Sequence, residues 1–365
     1  MRRQDHNAAL DGLRGLAAVS VLLFHLGHWL GIAGLASNAR LAVDLFFCLS
    51  GYVLSLAYAA RLDQGLTVGR FMALRLARLW PMIALGTLVS AAYLLTRAAL
   101  LHDRAIAPGR VGWAALLGLA CLPDFSAPAA IGGPQVFALN GPQYTLFFEL
   151  VANLVWALVP AARGPRGAAA MAVASFALIG WFGPGGDEVR DFWQGFARVF
   201  GTFATGVLVA HALARPARGA ARLALAASGP GATCAALGLS LGLFYWPAPL
   251  PHWADWLWSL AVAPLLVMGA ARLRLAGRVQ AVALWLGAVS YPLYALHYPI
   301  FVWANGAMQK ALGHKAPLPE ALVIAPLAVV ASWLALRLVD EPARRALGRW
   351  IGQRAPRQPL AAAQA

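Results

Sequence analysis

Residues 10–34 read LDGLRGLAAVSVLLFHLGHWLGIAG. The run exceeds the ~20 residues that a helix needs to cross the hydrocarbon of a bilayer. It is longer than the core of a signal peptide and no small-residue cleavage site follows it, so it predicts a retained membrane helix. Four ionisable side chains interrupt it: Asp11, Arg14, His25 and His28. Such groups are costly inside a membrane and call for a partner or a function.

The rest of the chain repeats this character. Hydrophobic residues make up 61% of the 365 positions and charged residues 12%, against about a quarter charged in a soluble domain. The fold class expected is therefore all-α, a polytopic membrane bundle. Ten apolar stretches are long enough to be spans: 10–34, 41–60, 79–96, 143–161, 168–183, 196–214, 223–246, 256–271, 282–304 and 321–339. An eleventh, 112–123, has only twelve residues, and is read as a partial or re-entrant segment of an outer loop over 97–142. Residues 1–345 form one membrane domain. The basic segment 346–365 is read as a flexible tail, either a short surface helix or a stop-transfer charge cluster.

The net charge of +15 lies mostly in short Arg clusters between spans, which argues for helix orientation rather than nucleic-acid binding. With both termini inside and 112–123 not crossing, 19 Lys and Arg residues fall on the inner side and 7 on the outer. That asymmetry obeys the positive-inside rule, and it would be largely lost if 112–123 crossed. Cys48, Cys121 and Cys234 have no CxxC or CxH spacing, so neither a disulfide framework nor a metal site is expected.

Five blocks concentrate the polar chemistry. In the first, Arg14 and His25 are eleven residues apart. At ~100° per residue they share one helix face, separated by about 16 Å along the axis. Arg14 then lies near the inner mouth and His25 in the outer half, where it serves either a reaction or a bond to a neighbouring helix. VDLFFCLSGYVLS (43–55) holds Asp44 at the outer end of its span, placed to orient His25 as a carboxylate does a catalytic imidazole, or simply to cap the helix. Ser50 and Gly51 allow close helix approach.

RFMALRLARLWP (70–81) puts Arg75 and Arg78 on one face, as a phosphate-binding fork or as inner-side charge. QYTLFFELVANLVW (143–156) carries Glu149 within a span, where it needs a partner, and an Arg or His on the first helix is a candidate. SYPLYALHYPIFVW (290–303) carries Tyr291, Tyr294 and His297. An aromatic belt accounts for Tyr298 and Trp303, but not for His297.

These blocks, in this order over about residues 8–345, resemble the membrane acyltransferase-3 family, integral membrane enzymes that O-acylate carbohydrates and other acceptors. The resemblance implies an acyl-CoA co-substrate, usually acetyl-CoA, on the cytoplasmic side of a bacterial inner membrane, with no permanently bound cofactor and a hydroxyl acceptor at the outer face. It implies His25 as the catalytic histidine with Arg14 as its paired basic residue, and Arg75 and Arg78 near the CoA phosphates. Glu149 matches an acidic position in a block that usually begins Trp-Ser; here it reads QYTLFFE. Asp44 joins the expected catalytic set, and His297, Tyr294 and Ser50 are expected at the substrate. Many members add a C-terminal SGNH-type domain, and this sequence is read as the membrane part alone. A multi-span exporter or flippase is the rival class, for which paired broken helices in inverted repeats would speak; the sequence has none.

Overall fold

The computed structural model describes residues 7–100, 106–126, 134–214 and 229–353. Arg2, Arg3, Arg104, the basic loop 215–222, the start of the expected span 223–246 and the tail from 354 lie outside the described residues. Among the described residues every regular element is a helix; one isolated antiparallel bridge joins Gln135 to Glu188.

In chain order the main helices are α1 (Ala8–Leu30), α2 (Leu41–Asp63), α3 (Val68–Leu100), α4 (Pro108–Leu119), α5 (Gln143–Leu158) and α6 (Pro165–Phe182). They continue with α7 (Gly195–Ala214), α8 (Pro230–Phe244), α9 (Trp253–Arg272), α10 (Gly277–Leu312), α11 (Pro317–Ala335) and α12 (Glu341–Gln353). A π-turn, Leu336–Asp340, joins the last two. Eight helical runs are long and apolar enough to cross a membrane, with α11 and α12 counted as one run. The apolar helices α5 and α8 are shorter, at 16 and 15 residues. Together they occupy the ten apolar stretches of the sequence.

Local chemistry sets the helix ends. The Asn7 side chain accepts hydrogen bonds from the backbone N–H groups of Ala9 and Leu10 and caps α1, as short polar side chains do at helix starts. Gly31, at φ 70°, ends it in the left-handed conformation that glycine adopts without penalty. Prolines occupy the first turns of α4, α6, α8 and α11, where no N–H is missed. Inside α10, Pro299 deprives the Ala295 carbonyl of its helical donor. The buried Asn140 side chain supplies one instead, at 2.9 Å.

Two helix crossings organise the bundle. A Cβ on Gly51 would lie 2.0 Å from the Phe203 carbonyl oxygen, and one on Gly206 would lie 1.9 Å from that of Cys48. Helices α2 and α7 therefore touch backbone to backbone. Gly15 meets Leu286 and Gly287 meets Asp11 with similar tightness, locking α1 to α10. Small residues permit such approach, and in lipid it is packing rather than apolar burial that holds helices together.

The twelve-residue α4 docks on α3. Gly118 faces Thr87, Trp80 Nε1 donates to the Leu119 carbonyl at 2.9 Å and Gln143 Nε2 to that of Gly118 at 2.7 Å. Side chains thus satisfy the end of a helix too short to span, a requirement wherever backbone lies away from water.

Candidate active site

A cavity of about 420 Å³ opens among α1, α2, α3, α5, α10 and α12. Arg14, Arg75, Arg78 and Arg344 line it, together with Phe46, Thr145 and Tyr294. Glu149 lines it as well. The Glu149 carboxylate accepts from Arg75 Nη2 at 2.7 Å and from Ser50 Oγ at 2.8 Å. The partner expected on α1 is therefore replaced by one on α3. The reason is the α1–α10 crossing: glycine contacts hold α1 against α10, while α5 faces α2 and α3 here.

Arg78 lies over the Tyr291 ring, 5.0 Å from its centroid, with Nη1 3.6 Å from Asp340. The Tyr291 hydroxyl donates to the Leu79 carbonyl, tying α10 to α3 beside Arg78. Deeper in, the Tyr294 and Thr145 hydroxyls share a hydrogen bond of 2.7 Å. Arg14 pairs with Asp11 at 3.3 Å and still borders the cavity. So Arg14, Arg75, Arg78, Glu149, Ser50 and Tyr294 come together around one space.

His25 does not line that space but is linked to it through His297 and Tyr294. Its ring centroid is 4.9 Å from that of His297, whose ring is 5.9 Å from that of Tyr294. His297 Nδ1 bonds the Tyr294 carbonyl at 2.7 Å and the Leu293 carbonyl at 3.1 Å. Carbonyls only accept, so His297 carries its hydrogen on Nδ1 and leaves Nε2 as an acceptor. His25 Nδ1 lies 2.9 Å from the Val21 carbonyl and 3.3 Å from His297 Nε2. Both neighbours accept, so His25 Nδ1 bears the hydrogen. Its Nε2 is left with a free lone pair, the form a proton acceptor needs. Trp29 packs against both imidazoles, its ring 4.9 Å from that of His25 and 5.7 Å from that of His297.

Asp44 does not orient His25. It is 1% exposed and takes two hydrogen bonds from Arg198, at 2.6 and 3.1 Å. Residues Arg40 and Arg198 with Asp44 and Asp255 line a separate 120 Å³ cavity. The α2–α7 contact through Gly51 and Gly206 aligns α2 with α7, and so gives Asp44 to Arg198. His297, expected at the substrate, stands where Asp44 was expected.

Two participants are unforeseen in the sequence. Arg344 counts there only toward the inner-side positive charge, and Asp340, just past the span 321–339, is not singled out. Asp340 is fully buried, with Arg344 Nη2 2.9 Å from its carboxylate. The spacing of Asp340 and Arg344 by four residues on a helix is the signal that was available. No cluster of His, Cys, Asp and Glu able to hold a metal exists among the described residues.

Known proteins carry the same arrangement of sequence. A family model described as an acyltransferase domain matches residues 7–337. "Putative membrane-bound transacylase BcsY" of Komagataeibacter xylinus is 30% identical over 320 residues, covering 83% of this chain and 74% of that protein. "Protein 2 in picA locus" of Rhizobium radiobacter is 40% identical over 157 residues, covering 40% of this chain and 79% of that protein. No solved structure matches. The helical bundle, the family match and the transacylase relative agree: this chain belongs to the membrane acyltransferase-3 family and is an O-acyltransferase.

Proposed function

We propose that the chain moves an acyl group, acetyl in the first instance, from acyl-CoA to a hydroxyl of a carbohydrate or other envelope or secreted acceptor. The observation that carries this reading is an adjacency: the arginine-lined cavity reaches Tyr294, whose ring is 5.9 Å from that of His297, and His297 in turn accepts from His25 Nδ1. Guanidinium groups suit phosphates, and the apolar lining of Val43, Phe46, Phe47 and Leu146 suits an extended pantetheine arm.

In this reading the CoA phosphates bind at Arg75 and Arg78, and the thioester passes Tyr294 and Phe46 toward His25. The acceptor hydroxyl gives its proton to His25 Nε2 as its oxygen attacks the thioester carbonyl. The carbon–sulfur bond breaks and the proton passes to the departing CoA sulfur. His297 Nε2 and the Val21 carbonyl support the imidazolium through its Nδ1–H, as the third member of a catalytic triad does. General-base catalysis of this kind contributes about 10²–10⁴-fold. His297 is thus a positioning residue. Glu149 and Ser50 hold Arg75 toward the donor. Asp44 acts through Arg198, as a tie between helices.

The basic end of the bundle faces the cytoplasm of a bacterial inner membrane in this account, because the arginine clusters lie there. The donor then enters from the compartment that contains CoA, and the acceptor meets His25 from the other side. The test is mass spectrometry of envelope glycans from deletion and complemented strains. Loss of one acyl group in the deletion, restored by the wild-type gene and not by a His25→Ala gene, supports the reading. Unchanged acylation in the deletion refutes it.

A further inference from the structure

We propose that Arg344, on α12, is a phosphate-binding residue of the acyl-CoA site, so that the C-terminal helix completes that site. The inference rests on the reading of the cavity as the donor site. The family match ends at residue 337, and so says nothing about α12.

Three observations meet at Arg344. It lines the cavity together with Arg14, Arg75 and Arg78. Its guanidinium is held by Asp340, through Nη2 at 2.9 Å, and Arg78 approaches the same carboxylate oxygen at 3.6 Å. Asp340 is wholly buried while the Arg344 side chain keeps 29% of its surface, so the carboxylate is screened from a ligand and part of the Arg344 side chain is not. One carboxylate shared by two guanidiniums leaves positive charge toward the cavity.

The donors are also unsaturated. Among the described residues, Arg75 Nε, Arg78 Nη1 and Arg344 Nε are buried without a hydrogen-bond acceptor, and both Asp340 carboxylate oxygens, though ion-paired, are buried without a hydrogen-bond donor. A guanidinium has five N–H groups in a fixed fork, and buried donors normally find acceptors. Three arginines around one space, each with an unmatched donor, fit a ligand with several phosphate groups. The π-turn Leu336–Asp340 places Asp340 and Arg344 here: it shifts the helical register between α11 and α12, an insertion often found at functional sites.

The test uses the full chain in lipid nanodiscs and equilibrium dialysis with radiolabelled CoA. Four proteins are compared: wild type, Arg344→Ala, Arg344→Lys and Arg345→Ala. Arg345 is the control, because it lies on the same helix with its side chain 72% exposed and paired to Glu341. Loss of one charge-assisted hydrogen bond predicts about tenfold weaker CoA binding for Arg344→Ala, with Arg344→Lys between it and wild type. Arg345→Ala binds as wild type. Unlabelled pantetheine, which has no phosphate, shows the same inhibition constant against labelled CoA in wild type and Arg344→Ala. Equal CoA binding by wild type and Arg344→Ala overturns the inference and leaves the donor site standing. Equal losses in Arg344→Ala and Arg345→Ala also overturn it, since a general helix or surface-charge effect then suffices. Absence of CoA binding by wild type overturns the donor reading and this inference with it.

Discussion

At the scale of single residues, the decisive feature is that His25 has its hydrogen fixed on Nδ1 by two acceptors, one of them another histidine. Removing the imidazole removes the proposed base. His25→Ala is expected to lower acyl transfer at least about 10²-fold, with CoA binding retained because the phosphate site is distant. His297→Ala leaves the base in place but frees its ring. We expect a smaller loss, about tenfold to a hundredfold, and a kcat effect larger than any KM effect, which steady-state kinetics would show. The Asp44–Arg198 pair makes a different prediction. Deleting either partner leaves an unpaired buried charge, at about 3–5 kcal/mol. Asp44→Ala and Arg198→Ala should each lower thermal stability in detergent, and the double variant should lose less than the two losses added. Additive losses would show that the pair is not coupled. The sequence places Arg14 and His25 on one face of a helix because eleven residues make nearly whole helical turns. It hid the Asp44–Arg198 pair, whose members are 154 positions apart, since helical phase within one segment says nothing about which helix faces it. For the same reason Glu149 found Arg75 rather than a group on α1.

Among the helices, glycine decides which neighbours are possible. The α2–α7 contact leaves no room for a Cβ at Gly51 or Gly206. Gly206→Leu should push the helices apart, separate Asp44 from Arg198, and yield little folded protein. Size-exclusion chromatography of the detergent-solubilised variant would show it. Normal yield and melting temperature would contradict the crossing. In the loop after α6, burial raises the Asp187 carboxyl from 3.8 to about 6, and the neighbouring Glu188 and Asp191 push the same way. The folded state therefore binds this proton more tightly than the unfolded chain. The stabilisation is complete below the unfolded value and is lost as pH rises through about 6. Asp187→Asn should raise the melting temperature at about pH 7.5 and flatten its fall between about pH 4 and 6.5. A pH–melting profile identical to wild type would refute this. Hydropathy located the apolar helices well, because apolar length is a local property. It could not identify α4 as a docked helix, since Trp80 and Gln143 supply that helix's missing donors from elsewhere in the chain.

For the molecule as a whole, composition and charge were enough to read a polytopic all-α bundle, and five short blocks were enough to suggest the family. The cavity was less legible. It takes residues from six helices, and Arg344 comes from a segment whose charges look like an ordinary membrane anchor. What the fold adds is a direction: arginines at one end, a histidine pair toward the other, and Tyr294 with Thr145 between them. Acyl transfer is proposed to run along that direction. The most direct measurement uses native membranes containing wild-type or His25→Ala protein at equal abundance, fed with acetyl-CoA labelled in the acetyl group. Free CoA and label in the envelope fraction are followed together. Wild type is expected to produce both in step, and His25→Ala neither while still binding CoA. Label transfer at the wild-type rate by His25→Ala would contradict this expectation.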